Sequence, residues 1–110
     1  MAKGVYVQKG NIIDYKNAGA AAVEYNEVMT LVSRICIAAE AIAVGENGSV
    51  NVTGIFELPA VNNATFAVGD PLYWDATNGN LTKTAEGNTA AGWCTEPKAQ
   101  TGTTAMVKIG

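Results

Sequence analysis

The sequence contains no histidine and only one arginine, and charged residues make up 15% of its 110 residues. Histidine is the commonest general base and the commonest metal ligand, so its absence excludes Ser-His and Cys-His nucleophilic pairs. The two cysteines, Cys36 and Cys94, form no C-x-x-C pair, and the acidic residues do not follow a calcium-loop pattern. The glycines likewise form no phosphate-binding motif. We therefore predict no metal site, no cofactor and no enzymatic activity.

Charge and hydropathy exclude two further classes of partner. The net charge of -3 and the seven lysine and arginine residues provide no basic surface for a nucleic-acid backbone. The longest apolar stretch, 38–44, is interrupted by Glu40 and is too short to span a membrane. Residues 1–4 precede strand-like sequence without a signal-peptide core, which predicts synthesis in the cytoplasm. A cytoplasmic product is normally reduced, so we expect both cysteines to be buried thiols.

Length and patterning predict one domain over residues 1–110 with a mainly β fold, a small antiparallel β-barrel or sandwich with at most one short helix. Alternating residues predict strands at 5–7, 11–15, 49–58, 71–74, 81–84, 91–95 and 103–109. The run 28–44 is compatible with a helix, but its β-branched residues favour two strands. Asn47-Gly48 and Asn78-Gly79 predict hairpin turns, and residues 62–68 could form one helical turn.

Two aspartates near aromatic residues are the best candidates for catalysis. Asp70 and Asp75 flank Tyr73-Trp74, an arrangement compatible with a glycosidase because aromatic rings stack on sugars. Both aspartates also lie at strand ends, where their side chains ordinarily bond turn amides. We favour the turn interpretation. A weak internal echo also relates residues 26–29 and 34–37 to residues 69–72 and 92–95.

Four aromatic residues and the single arginine are candidates for the core or an interface. Tyr73 and Trp74 point to opposite faces of a strand, so at most one of them is in the core. The candidate aromatic residues are Phe56, Tyr73, Trp74 and Trp93. Arg34 lies within an apolar run, where an unpaired charge is costly, so it is an exposed edge residue, a salt-bridge partner or an interface anchor.

Several segments resemble the small capsid cement (head decoration) proteins of tailed phages in order and spacing. They are 54–59, 66–75, 81–84, 87–89 and Gly92, preceded by an opening at 6–10 and followed by an ending at 106–109. Gly-Asp is usual in the family where this chain has Asn26-Glu27, and small residues are common at the positions of Arg34 and Trp93.

The resemblance implies a β-rich binding protein on the outer capsid surface of the virion. It would bridge and stabilise subunits of the phage major capsid protein, and it would form a homo-trimer there, with a dimer as the other possibility. Residues 1–10 would be a contact arm, because a short exposed strand is suited to pairing with another chain. We expect Val5, Tyr6, Val7, Gln8 and Arg34 to contact capsid or a sister subunit. The alternative is a carbohydrate-binding or adhesin module that uses exposed aromatic residues.

Overall fold

The computed structural model describes residues 2–110, and this part of the chain consists of β-strands and loops without a helix. Its strands are β1 (Ile12–Lys16), β2 (Val28–Leu31), β3 (Arg34–Ala38), β4 (Asn47–Asn51), β5 (Gly54–Pro59), β6 (Pro71–Asp75), β7 (Asn80–Thr82), β8 (Thr89–Cys94) and β9 (Thr104–Ile109). Met1, the first residue of the expected arm, lies outside the described residues. The predicted mainly β fold is confirmed.

The strands form two antiparallel sheets that divide the chain into halves. Sheet 1 has the order β1-β4-β3-β2, and sheet 2 has the order β5-β9-β8-β6-β7. Neither sheet closes on itself, so of the two predicted architectures the sandwich is confirmed and the barrel is wrong. Strand β3 of sheet 1 packs against β8 of sheet 2. The interface between the sheets therefore involves the central strands of both.

The hydrophobic residues form two clusters because β3 is buried on both faces. Ile35 and Ile37 point into the larger cluster, which sheet 2 dominates. Cys36 and Ala38 point the other way into a smaller cluster that belongs to sheet 1. A strand buried on both faces reads as a continuous apolar run, which explains why the segment 28–44 is also compatible with a helix. The two-strand interpretation of that segment is confirmed by β2 and β3.

The two halves repeat the same plan. Strands β1, β2, β3 and β4 correspond in order and pairing to β5, β6, β8 and β9. Each half contains an equivalent isolated bridge, Val23↔Ile42 in the first and Phe66↔Lys98 in the second. Equivalent backbone bonds join Asn26 and Glu27 to Ala38, and Gly69 and Asp70 to Cys94. The spacing along the sequence between corresponding residues is the same for the bridges and the bonds. In this alignment Ala38, and not Cys36, corresponds to Cys94. The sequence echo thus marks a structural repeat. Its second part matches Cys36 to Cys94, which is two residues away from the structural counterpart, Ala38.

Four local predictions are wrong for identifiable reasons. Residues 5–7 form no strand, so the predicted opening hairpin is absent, and residues 62–68 form no helical turn. Asn47-Gly48 opens β4, and the turn instead lies at Val44-Gly45, where Gly45 has φ +81°. Gly48 is required in β4 because a side chain there would collide with Ile42. Residues 49–58 form two strands in different sheets, not one.

Other turn and strand predictions are confirmed. Gly79, with φ +68°, ends the turn that joins β6 to β7. Pro59 is the last residue of β5, as expected for a residue that cannot donate to a ladder. Strands β6, β8 and β9 match the predicted segments within about two residues.

Candidate functional site

The carboxylates of Asp70 and Asp75 stabilise turns by accepting hydrogen bonds from backbone amides. A carboxylate oxygen of Asp70 accepts a bond of 2.7 Å from the Ala67 amide, and it lies 3.6 Å from the Lys83 ammonium. Asp75 accepts bonds from the amides of Thr77 and Asn78 and from the Asn78 side chain. The bonds from Asn78 and Thr77 lower the pKa of Asp75, whereas a glycosidase acid needs a raised pKa. The turn interpretation of both residues is confirmed.

The four candidate aromatic residues differ in burial. Trp74 is buried in the larger cluster, and Phe56 packs against it while remaining half-buried. Tyr73 is half-buried on the opposite face of β6. Trp93 is 43% exposed, on the face of sheet 2 that points away from the core. Trp93 is therefore the candidate aromatic residue with the largest surface available to a partner.

Trp93 belongs to a row of side chains on the outward face of sheet 2, in which Lys108 is half-buried. Lys108 pairs with Ile55 on one side and with Trp93 on the other, and Trp93 in turn pairs with Pro71. Paired residues share a face, so Ile55 and Trp93 flank the aliphatic stem of Lys108. We call Ile55, Pro71, Trp93 and Lys108 the outer row. Its aromatic residue, Trp93, is of a type enriched at interface centres, whereas a lysine such as Lys108 is more typical of an interface rim.

The hairpin between β2 and β3 presents a second surface. Leu31 pairs with Arg34, so Val32 and Ser33 alone form the turn. Val32 is fully exposed and has φ +46°, a conformation that disfavours a β-branched residue by roughly 1–2 kcal/mol. Arg34 is exposed beside it and has no ion pair within residues 2–110. The tip therefore presents an exposed, strained apolar residue next to a charge that has no ion pair within residues 2–110.

The arm is the third exposed surface. Val5, Tyr6 and Val7 are 86, 81 and 83% exposed, and Gln8 is exposed beside them. Residues 2–10 precede β1 without joining either sheet. Three consecutive apolar side chains in water form an exposed patch of the kind that marks a binding surface. The structure thus leaves the predicted contact residues accessible.

Two buried polar residues were missed by sequence analysis, and they have equivalent tasks in the two halves. The Asn17 amide donates to the Ala21 carbonyl at 2.9 Å. The Lys98 ammonium donates to the Ala64 carbonyl at 2.6 Å and lies 5.0 Å from the centre of the Phe66 ring. Ala64 is the counterpart of Ala21, so each half satisfies the same loop carbonyl with a different side chain. Both residues have structural roles.

The two cysteines are free and buried, which confirms the prediction of thiols. Burial raises the pKa of the Cys36 thiol to about 11, so it is protonated at neutral pH. The Cys94 sulfur lies 2.8 Å from the Glu96 carbonyl oxygen. Thiolates are the reactive form, and Cys36 is consequently a packing residue.

Sequence analysis also missed Ile55 and Val32 as surface residues. Their apolar character favours burial, and only the pairing of Ile55 with Lys108 and the tight turn at Val32 place them outside. Asn-Gly or Asp-Gly is the usual signal of such a turn, and Val32-Ser33 lacks it.

Comparison with known proteins identifies one protein family whose model matches the chain. No curated protein and no solved structure matches the chain significantly. Within residues 2–110 no helix is long and apolar enough to cross a membrane, and no group of three acidic or cysteine side chains is placed to hold a metal ion. A family model described as phage cement protein matches residues 7–109. That family consists of structural proteins associated with the phage capsid. The chain therefore belongs to the phage cement protein family.

Proposed function

We propose that the protein binds the outer surface of the icosahedral phage head and stabilises it by bridging neighbouring subunits of the major capsid protein. The family match over residues 7–109 carries this proposal. Three accessible surfaces support it: the arm, the hairpin tip at Val32 and Arg34, and the outer row. A protein that bridges subunits needs more than one contact surface.

Symmetry makes weak contacts sufficient. On a shell the same contact recurs at every equivalent position, and simultaneous contacts of one oligomer raise the apparent affinity by roughly 10²–10⁴ without new interactions. We propose a homo-trimer on the capsid, with a dimer as the second possibility. In either oligomer, each surface needs only a few aromatic or arginine anchors, such as Trp93 and Arg34.

The test is decoration of undecorated heads. Purified protein is mixed with expanded cognate heads, the heads are sedimented, and bound copies are located by cryo-electron microscopy. We expect symmetry-ordered density on the outer surface and a higher temperature of head disruption. Absence of binding to cognate expanded heads would refute the proposal.

Substitutions then separate the surfaces. Trp93→Ala is expected to weaken binding roughly 30-fold, which corresponds to about 2 kcal/mol for an interface anchor. Val44→Ala is the control, because Val44 is exposed in a turn outside the three surfaces. Deletion of residues 2–10 is expected to abolish binding because it removes the exposed contact residues of the arm. The fold should survive, since the nine strands within residues 2–110 all begin after the arm. Full binding by the folded deletion variant would remove the arm from the interface.

One observation favours a carbohydrate-binding function as the second candidate. Trp93 is an exposed indole beside apolar Pro71 and could stack on a sugar ring. Buried Trp74 is not available for this purpose. A glycan array probed with the protein and with Trp93→Ala distinguishes the candidates. Glycan binding that the substitution removes, without head binding, would favour the carbohydrate-binding function.

A further inference from the structure

Within residues 2–110, sheet 1 has no counterpart of strand β7 of sheet 2. In the second half, β7 pairs with β6 through Tyr73↔Thr82, Trp74↔Leu81 and Asp75↔Asn80. The Leu81 carbonyl also accepts a bond of 3.0 Å from the Val61 amide, so β7 lies between β6 and the segment after β5. In the first half, β2 corresponds to β6, and within residues 2–110 it is the last strand of its sheet.

An open groove occupies the equivalent position beside β2. It has a volume of about 380 Å³, and its lining includes Tyr15, Val28, Met29, Thr30 and Trp74. Tyr15 is the counterpart of Leu58, which borders β7 in the second half. There the fully buried side chain of Leu81 fills the space. The groove is thus the place of a strand that the first half does not supply.

The backbone of β2 is oriented to accept a strand. The Ala38 amide donates to the Glu27 carbonyl, which therefore points towards β3, and the Ala38 carbonyl accepts from the Asn26 amide. Bonded and non-bonded pairs alternate along antiparallel strands, which directs the amide and carbonyl of Val28 and Thr30 away from β3. Tyr73, the counterpart of Thr30, pairs with Thr82 of β7. Strand β2 carries no lysine or proline, two devices that normally protect a sheet edge, and the two-against-one pairing of Asn26 and Glu27 with Ala38 lies just before the strand.

The arm has the properties of the missing strand. Val5-Tyr6-Val7 matches the three-residue length of β7, and its residue types favour strands. Because all three side chains are apolar, either register of the alternation directs at least one of them into the groove. The arm does not line the groove of its own chain.

Charge favours the same pairing. The arm carries Lys3 and Lys9 and no acidic residue, whereas Glu24 and Glu27 are exposed at the start of β2. Complementary charges at the rim of an interface fix register and accelerate association.

We propose that residues 4–8 of one copy add as a strand to β2 of a second copy, in the position that β7 fills in sheet 2. This proposal rests on the arm contact proposed above and names its partner. Exchange of one identical segment closes the assembly as a dimer or a trimer. It also covers the apolar arm and the free edge of β2 together. The test uses the protein without heads, so its failure is distinguishable from a failure of capsid binding.

Disulfide trapping between two full-length variants tests the exchange. Chains with Val7→Cys are mixed with chains with Thr30→Cys under mild oxidation, so a bond between the two positions joins different copies. We expect a covalent dimer in which mass spectrometry finds the 7–30 link. Val7→Cys mixed with Val32→Cys is the control, because Val32 lies on the same hairpin outside the groove. The native thiols contribute little background since both are buried.

Other occupants of the groove give different results. A chain with both Val7→Cys and Thr30→Cys that links only within itself would show that the groove holds its own arm, and would overturn the proposal. Folded variants that form no 7–30 link alone, but link to capsid protein on heads, would overturn it in favour of the capsid. Those heads would still be decorated, so the proposed function would survive.

Oligomeric state and charge provide a second measurement. Light scattering is expected to show association that deletion of residues 2–10 abolishes. Glu24→Lys with Glu27→Lys is expected to weaken association several-fold, and Lys3→Glu with Lys9→Glu added in the same chain to restore it, because the charges are then exchanged. Equal association of the parent and the deletion variant would overturn the proposal.

Discussion

Replacement of Val32 by asparagine is expected to stabilise the protein. Val32 occupies the first position of a two-residue turn at φ +46°. Hairpin turns with a positive φ at their first central position are dominated by glycine, asparagine and aspartate, whereas β-branched residues are outliers at positive φ. The Val32 side chain is fully exposed and loses no packing on replacement. Relief of strain predicts a gain of about 1 kcal/mol in the free energy of unfolding.

Urea denaturation measures this gain directly. For a domain of this size, about 1 kcal/mol raises the melting temperature by roughly 4 °C. Val44→Asn is the matched control, because Val44 is an exposed turn valine without a positive φ. The control is expected to leave stability unchanged.

The same substitution tests the contact role of the hairpin tip. If strain at Val32 is retained for binding, Val32→Asn raises stability and lowers affinity for heads. An unchanged or lower free energy of unfolding for Val32→Asn would refute the inference of strain. A more stable variant with full head affinity would remove the tip from the interface while leaving the strain argument intact.

Three further predictions concern stability. Gly92→Ala is expected to prevent folding, because Gly92 has φ +148° and a Cβ there would overlap the backbone of β9. A native circular dichroism spectrum of this variant would contradict the prediction. Lys98→Met removes the donor to the Ala64 carbonyl and the contact with the Phe66 ring. In urea titrations it is expected to lower the free energy of unfolding by about 2 kcal/mol. Parent-like stability would refute the structural role of Lys98. The lowered pKa of Asp75 contributes stability that is present above its unfolded pKa of about 4 and is lost as pH falls through the folded pKa. The difference in melting temperature between the parent and Asp75→Asn should therefore shrink on acidification, and a constant difference would contradict the turn role.

Local chemistry in the sequence was sufficient for much of the fold. Alternation located β6, β8 and β9, and Asn78-Gly79 located the β6–β7 hairpin, because a turn conformation depends on the residues that form it. Asp70 and Asp75 were recognised as turn residues for the same reason. The resemblance carried by segments such as 66–75 gave the family, which the match over residues 7–109 confirms.

Non-local pairing decided what the sequence left open. Residues 49–58 contain one apolar alternation, yet the chain changes sheets after Asn51, because β4 pairs with β3 while β5 pairs with β9. Residues 5–7 have strand-like composition, but no strand in the described part of their own chain pairs with them. Composition indicates strand propensity, whereas a strand also requires a partner.

The surfaces depend on the same distinction. The sequence by itself determined that histidine-based chemistry is absent and that the chain is a β-rich capsid protein. It could not tell whether Trp74 or Trp93 is exposed, since alternation assigns side chains to two faces without saying which face is covered. Only the packing of sheet 1 on sheet 2 and the repetition of one plan in both halves decided this. They also created the groove beside β2, because its lining joins Tyr15 and Trp74, which are distant in sequence and meet only in the folded chain.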